Sequence, residues 1–301
     1  MSTARMVLRQ TRLEQYAFWR NPEAAFFTFA LPIGLLLIFG ATSSGDKIPG
    51  RPELPTLTFF VPGILAFGII VAAYGNLAAT VAILRTDGVL KRIRATPLQP
   101  SAYLAGQLCS VLATSLAIAV STIMLGRLAF GVAPPRPSAL ALLAAVLAIG
   151  ITCFAALGLA ISTFIPDGTA AGAITNGTYI PLALVSGTFN TNLQLPGWLD
   201  AIVTALPIKA LTDALRAGYD PATRAWPLAN LAVLAVWTII GTTLAHRYSA
   251  PTLAPRRPAP TPPRPGSRPG PGRSSGGTNR SAHRRSGPAH RHPRRPVHDD
   301  G

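Results

Sequence analysis

Acidic residues, lysine and cysteine are all scarce in this chain of 301 residues: 11 Asp and Glu oppose 27 Lys and Arg, and only Lys47, Lys91 and Lys209 are lysines. Where the charges are missing matters more than how few they are. The runs 24–42, 57–84, 102–126, 138–165, 169–189 and 226–246 contain no Asp, Glu, Lys or Arg. Ion-coupled transporters need ionisable groups inside the membrane, where such groups are costly and are kept for function, so their absence argues against coupling to an ion gradient. The chain has no Gly-Lys dipeptide and hence no Gly-rich loop ending in Gly-Lys-Ser/Thr that could cradle nucleotide phosphates. Cys109 and Cys153, the only cysteines, both fall inside apolar runs, which speaks against a disulfide framework or a thiolate metal site. There is no His-Glu-x-x-His, and four of the five histidines lie beyond residue 280, so no catalytic residue, cofactor site or metal site is expected.

What is present is apolar. Hydrophobic residues make up 49% of the chain, charged residues 13%, and the mean hydropathy is +0.36. Each of the six uncharged runs approaches or exceeds the roughly 20 residues that cross a bilayer, so the sequence predicts an all-α polytopic membrane protein with six transmembrane helices. Lysine and arginine sit mainly on one side of this pattern: the N-terminal segment, the loop after the second run and the C-terminal part carry most of them, which places both termini in the cytoplasm. The net charge of +16 does not indicate nucleic acid, because residues 248 to 301 alone hold 11 Arg against Asp299 and Asp300.

Three segments flank or interrupt the spans. Residues 1–23 set Leu8, Leu13, Tyr16, Phe18 and Trp19 among Arg5, Arg9, Arg12 and Arg20, as expected of a helix lying in the cytoplasmic interface rather than a cleaved signal peptide. Residues 193–216 place Leu199, Ile202, Val203 and Leu206 on one face before Pro207 and resume with Leu211, Ala214 and Leu215, the pattern of one or two short external helices that lie on or dip into the outer leaflet before the last span. Residues 24–248 form the membrane domain. Residues 249–301, rich in Pro, Arg, Gly and Ser, cannot bury enough surface to fold and are expected to form a disordered cytoplasmic tail.

The loop from Arg85 to Pro97 is the most informative stretch, because it is a short basic segment held between two long apolar runs and therefore lies at the membrane surface. Leu90 and Ile93 share a helical face, Arg85, Lys91, Arg92 and Arg94 can pair with acidic groups of a partner, and Pro97 ends the segment. The same cations also satisfy the positive-inside bias.

The chain resembles the membrane subunits of ABC-2-type exporters, including the daunorubicin and antibiotic resistance permeases. Three features carry the resemblance: the basic amphipathic helix ahead of six spans; the loop Arg85, Asp87, Gly88, Leu90, Lys91, Arg92, Ile93, Thr96, Pro97 and Leu98; and the late external pattern Leu195 to Leu199, Leu206, Pro207 and Ala214 to Arg216. The loop departs from the family's frequent acidic pair by carrying Thr86 before Asp87, and the Arg/Pro tail is no family requirement. The resemblance implies a bacterial plasma-membrane exporter of a hydrophobic or amphipathic small molecule or lipid, paired with a second permease copy. It further implies that Arg85, Asp87, Gly88, Leu90, Lys91, Arg92, Ile93, Arg94 and Pro97 form a coupling helix gripped by a separate cytoplasmic ATP-binding subunit. An energy-independent channel or membrane scaffold is the alternative.

Overall fold

The computed structural model describes residues 3–43, 47–48, 51–88, 100–189, 196–220, 223 and 225–253. Residues 1–254 form one compact unit; the tail beyond it lies outside the described residues. The chain opens with α1 (Thr3–Arg20), which Asn21 separates from α2 (Pro22–Thr42) by accepting a hydrogen bond from the Ala24 N–H, with Pro22 at the first helical position where its missing N–H costs nothing. Two short antiparallel strands follow, β1 (Lys47–Ile48) and β2 (Arg51–Pro55). This hairpin lies outside the apolar runs, and the sequence pattern does not predict it.

The second span begins as α3 (Thr56–Ile70), widens to a π-helical segment at Val71–Asn76 and continues as α4 (Leu77–Thr86). It is the most buried span and forms the axis of the bundle. Helix α5 (Pro100–Phe130) and, after the 3₁₀ turn Pro137–Ala139, helix α6 (Leu140–Ser162) return across it. Then come α7 (Ala171–Val185), α8 (Gly197–Thr204), α9 (Pro207–Tyr219) and the final α10 (Leu228–Leu253).

Among the described residues, five helical stretches are long and apolar enough to cross a membrane: Pro22–Thr42, Thr56–Thr86, Ala105–Phe130, Pro137–Ser162 and Leu228–Arg247. The sixth uncharged run, 169–189, differs. Its helix has only 15 residues, about 22 Å, against roughly 30 Å of hydrocarbon. Thr169 and Ala170 still belong to the entering turn, and the chain leaves the helix at Ser186 and turns at Gly187, whose φ of 71° is the left-handed value glycine favours. Helix α9 breaks from α8 at Pro207 as its sequence predicts, but it does not rest on the surface: Leu211 and Leu215 are fully buried among α3, α6 and α10.

Small residues set how closely the helices approach. A Cβ on Gly158 of α6 would lie 2.9 Å from the Tyr74 carbonyl oxygen and 3.0 Å from that of Ala73, so α6 packs against the backbone of the π segment itself. On the opposite flank, a Cβ on Gly241 of α10 would lie 2.9 Å from backbone atoms of Ala156 and Leu157. Where lipid tails are as apolar as leucine, close backbone approach of this kind is what binds membrane helices.

Candidate functional site

At the end of α4 the helix is closed by Gly88, whose φ is 69°, with the Asp87 N–H donating to the Ile83 carbonyl at 2.9 Å. The Arg85 guanidinium donates to the Thr163 carbonyl at 3.2 Å and to the Ile165 carbonyl, covering oxygens left open where α6 ends. Across this contact Ile83 meets Gly168, where a Cβ would lie 2.8 Å from Ile83 Cγ1. Asp167 accepts hydrogen bonds from the Thr169 hydroxyl at 2.6 Å and the Ala170 N–H at 2.9 Å. Those two bonds, the hydroxyl's first, hold its carboxyl below the ordinary carboxylate range and fit the turn role that Pro166 and Gly168 suggest. The structure thus joins the start of the basic loop to the turn between α6 and α7. Of the expected coupling residues, Arg85, Asp87 and Gly88 are described; Leu90, Lys91, Arg92, Ile93, Arg94 and Pro97 lie outside the described residues.

The N-terminal helix is docked, not merely adsorbed, and its polar side faces the protein. Gln15 Nε2 donates to the Ser110 carbonyl at 2.8 Å, to the Ser110 hydroxyl at 2.9 Å and to the Thr114 hydroxyl at 2.9 Å, while the Thr11 hydroxyl lies 3.3 Å from the Gly106 carbonyl. Gly106 permits this, because a Cβ there would stand 2.5 Å from Gln10 Cβ. Glu14 accepts from Gln10 Nε2 at 2.7 Å and from the Gln107 amide, oriented with its nitrogen toward the carboxylate, at 3.0 and 3.1 Å. Burial pushes the Glu14 carboxyl above the ordinary range, partly offset by the Gln10 bond. The apolar and cationic residues Leu8, Leu13, Tyr16, Trp19, Arg5, Arg9 and Arg12 are exposed on the outer side, as an interfacial helix requires.

Mid-membrane, the π segment presents Tyr74, whose phenol hydrogen-bonds the Thr178 hydroxyl of α7 at 2.8 Å, and Asn76, whose Nδ2 donates to the Thr28 hydroxyl of α2 at 2.7 Å. A π segment re-aims side chains relative to a regular helix and often marks a functional position. At the other end, Arg216 of α9 donates to the Gly187 carbonyl at 2.9 Å and the Thr188 carbonyl at 3.3 Å, pairs with Asp213 at 3.2 Å, and lies 3.5 Å over the Phe59 ring. It fastens the α7 exit and the start of α3 to α9.

Sequence reading did not find the α1 seam, although its signal was present: Gln10 with Glu14 and Thr11 with Gln15 stand four apart, and Gln107, Ser110 and Thr114 recur on one face of α5. No group of three His, Cys, Asp or Glu side chains placed to hold a metal exists among the described residues, and Cys109 and Cys153 are free thiols.

These features define a multi-pass helical membrane protein with charged contacts at the helix ends and uncharged polar contacts between the spans. The sequence model of the ABC-2 type transporter family matches residues 6–219, and the chain belongs to that family. This is the permease component of ABC transporters, a transport subunit that works with an ATP-binding subunit. No curated protein matches the sequence.

Proposed function

We propose that the protein is the transmembrane subunit of an ABC exporter that moves a hydrophobic or amphipathic substrate, such as a drug, antibiotic, lipid or glycolipid, out of a bacterial cell. ATP is hydrolysed by a separate cytoplasmic subunit, and two permease copies, identical or related, enclose the pathway. The observation that carries the reading is the Arg85 contact with Thr163 and Ile165: the segment following Arg85 is the docking surface for the ATP-binding subunit, and displacement there pulls directly on the α6–α7 turn. Both termini are cytoplasmic, the run 169–189 making the sixth crossing as α7 together with its flanking turns, and the external α8–α9 segment closes the opposite end through Arg216.

Purification from native membranes tests the reading. The wild-type chain is expected to bring down an ATP-binding cassette subunit with ATPase activity, and a Leu90→Asp chain of normal membrane insertion is expected to lose it. A wild-type chain that purifies without any ATPase would favour the channel or scaffold alternative.

A further inference from the structure

A cavity of about 260 Å³ opens between α1, α2, α4 and α5 and reaches from Ile83 and Leu84, just before Arg85, inward to Asn76 of the π segment. Its polar wall includes Glu14, Asn21, Gln107 and Ser110, and its apolar wall includes Phe18 and Leu77. Glu14 is half-buried there, and its carboxylate is met by two neutral amides, Gln10 and Gln107. Amides orient a carboxylate but leave its charge uncompensated. Among the described residues the ion pairs are Lys209 and Arg216 with Asp213, far along the chain, and no cation pairs with Glu14.

We infer that this cavity binds the ammonium group of a cationic amphiphile, with Glu14 as its counter-charge. The chemistry of the walls selects that class. An anion would meet the carboxylate directly, and a neutral group would leave it uncompensated. An ammonium group can take the carboxylate's remaining lone pairs and present its N–H or N–CH₃ faces to the Asn21, Gln107 and Ser110 oxygens. The volume lies just below the roughly 300–1,000 Å³ of whole-ligand pockets, so it suits a head group and the first part of a chain, the remainder lying in lipid. Its depth agrees: α1 is the interfacial helix, so the carboxylate stands at headgroup level while Phe18 and Leu77 line the apolar side. The ammonium group can come from an amine-headed membrane lipid or from a soluble cationic amphiphile.

Calorimetric titration of the purified full-length protein in an uncharged maltoside detergent, with empty micelles subtracted, tests this. The probes are decyltrimethylammonium and an uncharged amphiphile of equal chain length. The wild-type protein is expected to bind the cation saturably at one site and the uncharged probe at least tenfold more weakly; Glu14→Gln is expected to lose at least tenfold affinity for the cation alone. Ala24→Phe, which fills the cavity and keeps the carboxylate, is expected to lose binding too and carries the test if Glu14→Gln fails to fold. Competition by added phosphatidylethanolamine would identify the lipid amine as an occupant, and absence of competition the soluble amphiphile. Equal binding of both probes, or wild-type affinity in both variants, would overturn the site. No ATPase or transport step enters the measurement, so its failure would leave the permease reading standing.

Discussion

Arg85, the last basic residue of the second span, donates a hydrogen bond to the carbonyl of Thr163, 3.2 Å away at the end of α6. A second bond to Ile165 makes the contact a fork, a geometry lysine cannot reproduce. Hydrogen bonds from a charged donor are worth on the order of 1.5–3 kcal/mol, and this one is half-buried, so the lower end applies. Arg85→Gln is therefore expected to insert normally and to retain ATPase partner binding while export falls about tenfold, the equivalent of roughly 1.4 kcal/mol. Arg85→Lys should not restore it. Transport assays in inside-out vesicles, with the ATPase rate measured in parallel, check the split; equal loss of both activities would point to misfolding.

The contact of Gly158 with the π segment predicts a stability effect. A side chain at 158 would press on the Tyr74 and Ala73 carbonyls at 2.9 and 3.0 Å, and overpacking of this kind costs about 1–3 kcal/mol. Gly158→Val is expected to lower the thermal unfolding temperature in detergent by several degrees. Gly172→Ala, with nothing within 4 Å of its Cβ, should leave it unchanged or slightly raised.

Arg216 predicts an asymmetry within one ion pair. Arg216→Met removes two carbonyl contacts and the stacking on Phe59, an expected loss of about 2–4 kcal/mol. Asp213→Asn touches the more exposed partner, whose side chain is 34% accessible, and should cost no more than about 1 kcal/mol. Denaturant unfolding of the two variants decides whether the carbonyl contacts or the salt bridge hold this end of the bundle.

The raised Glu14 carboxyl sets a pH dependence. Burial favours the protonated form in the folded state, so this group contributes stability that is present below the ordinary carboxylate value of 4.5 and is lost as pH rises through the folded value. The Tyr103 phenol of α5 also stands near it. The difference in unfolding temperature between wild type and Glu14→Gln should therefore grow in favour of the variant as pH increases from acidic to neutral. A constant difference across that range would contradict the assignment.

Much of this was readable in advance, because uncharged runs of sufficient length leave few options but membrane helices. The break at Pro207 and the interfacial aromatics of α1 were equally direct, since each follows from a local rule. Three features were not legible. Helix α7 is shorter than its uncharged run because Gly187 takes a left-handed turn, and nothing in hydropathy marks that. Helix α9 reads as amphipathic and external, yet tertiary packing buries most of it, with Leu211 and Leu215 inaccessible and only the side carrying Lys209 and Asp213 left half-exposed. The polar face of α1 meets α5 and not solvent, since Gln15 and Ser110 are 95 positions apart and only the fold brings them together. Arg85 was legible as a basic loop residue but not as a clasp on the α6 terminus, for the same reason.

The central claim is that the elbow between the second and third spans faces the cytoplasm and is held by the ATP-binding subunit. Cysteine accessibility measures this directly, using Lys91→Cys in a background with Cys109 and Cys153 replaced by alanine. A membrane-impermeant thiol reagent should leave intact cells unlabelled at position 91, label inside-out vesicles, and be blocked when the ATP-binding subunit is present. Labelling of intact cells would contradict the account.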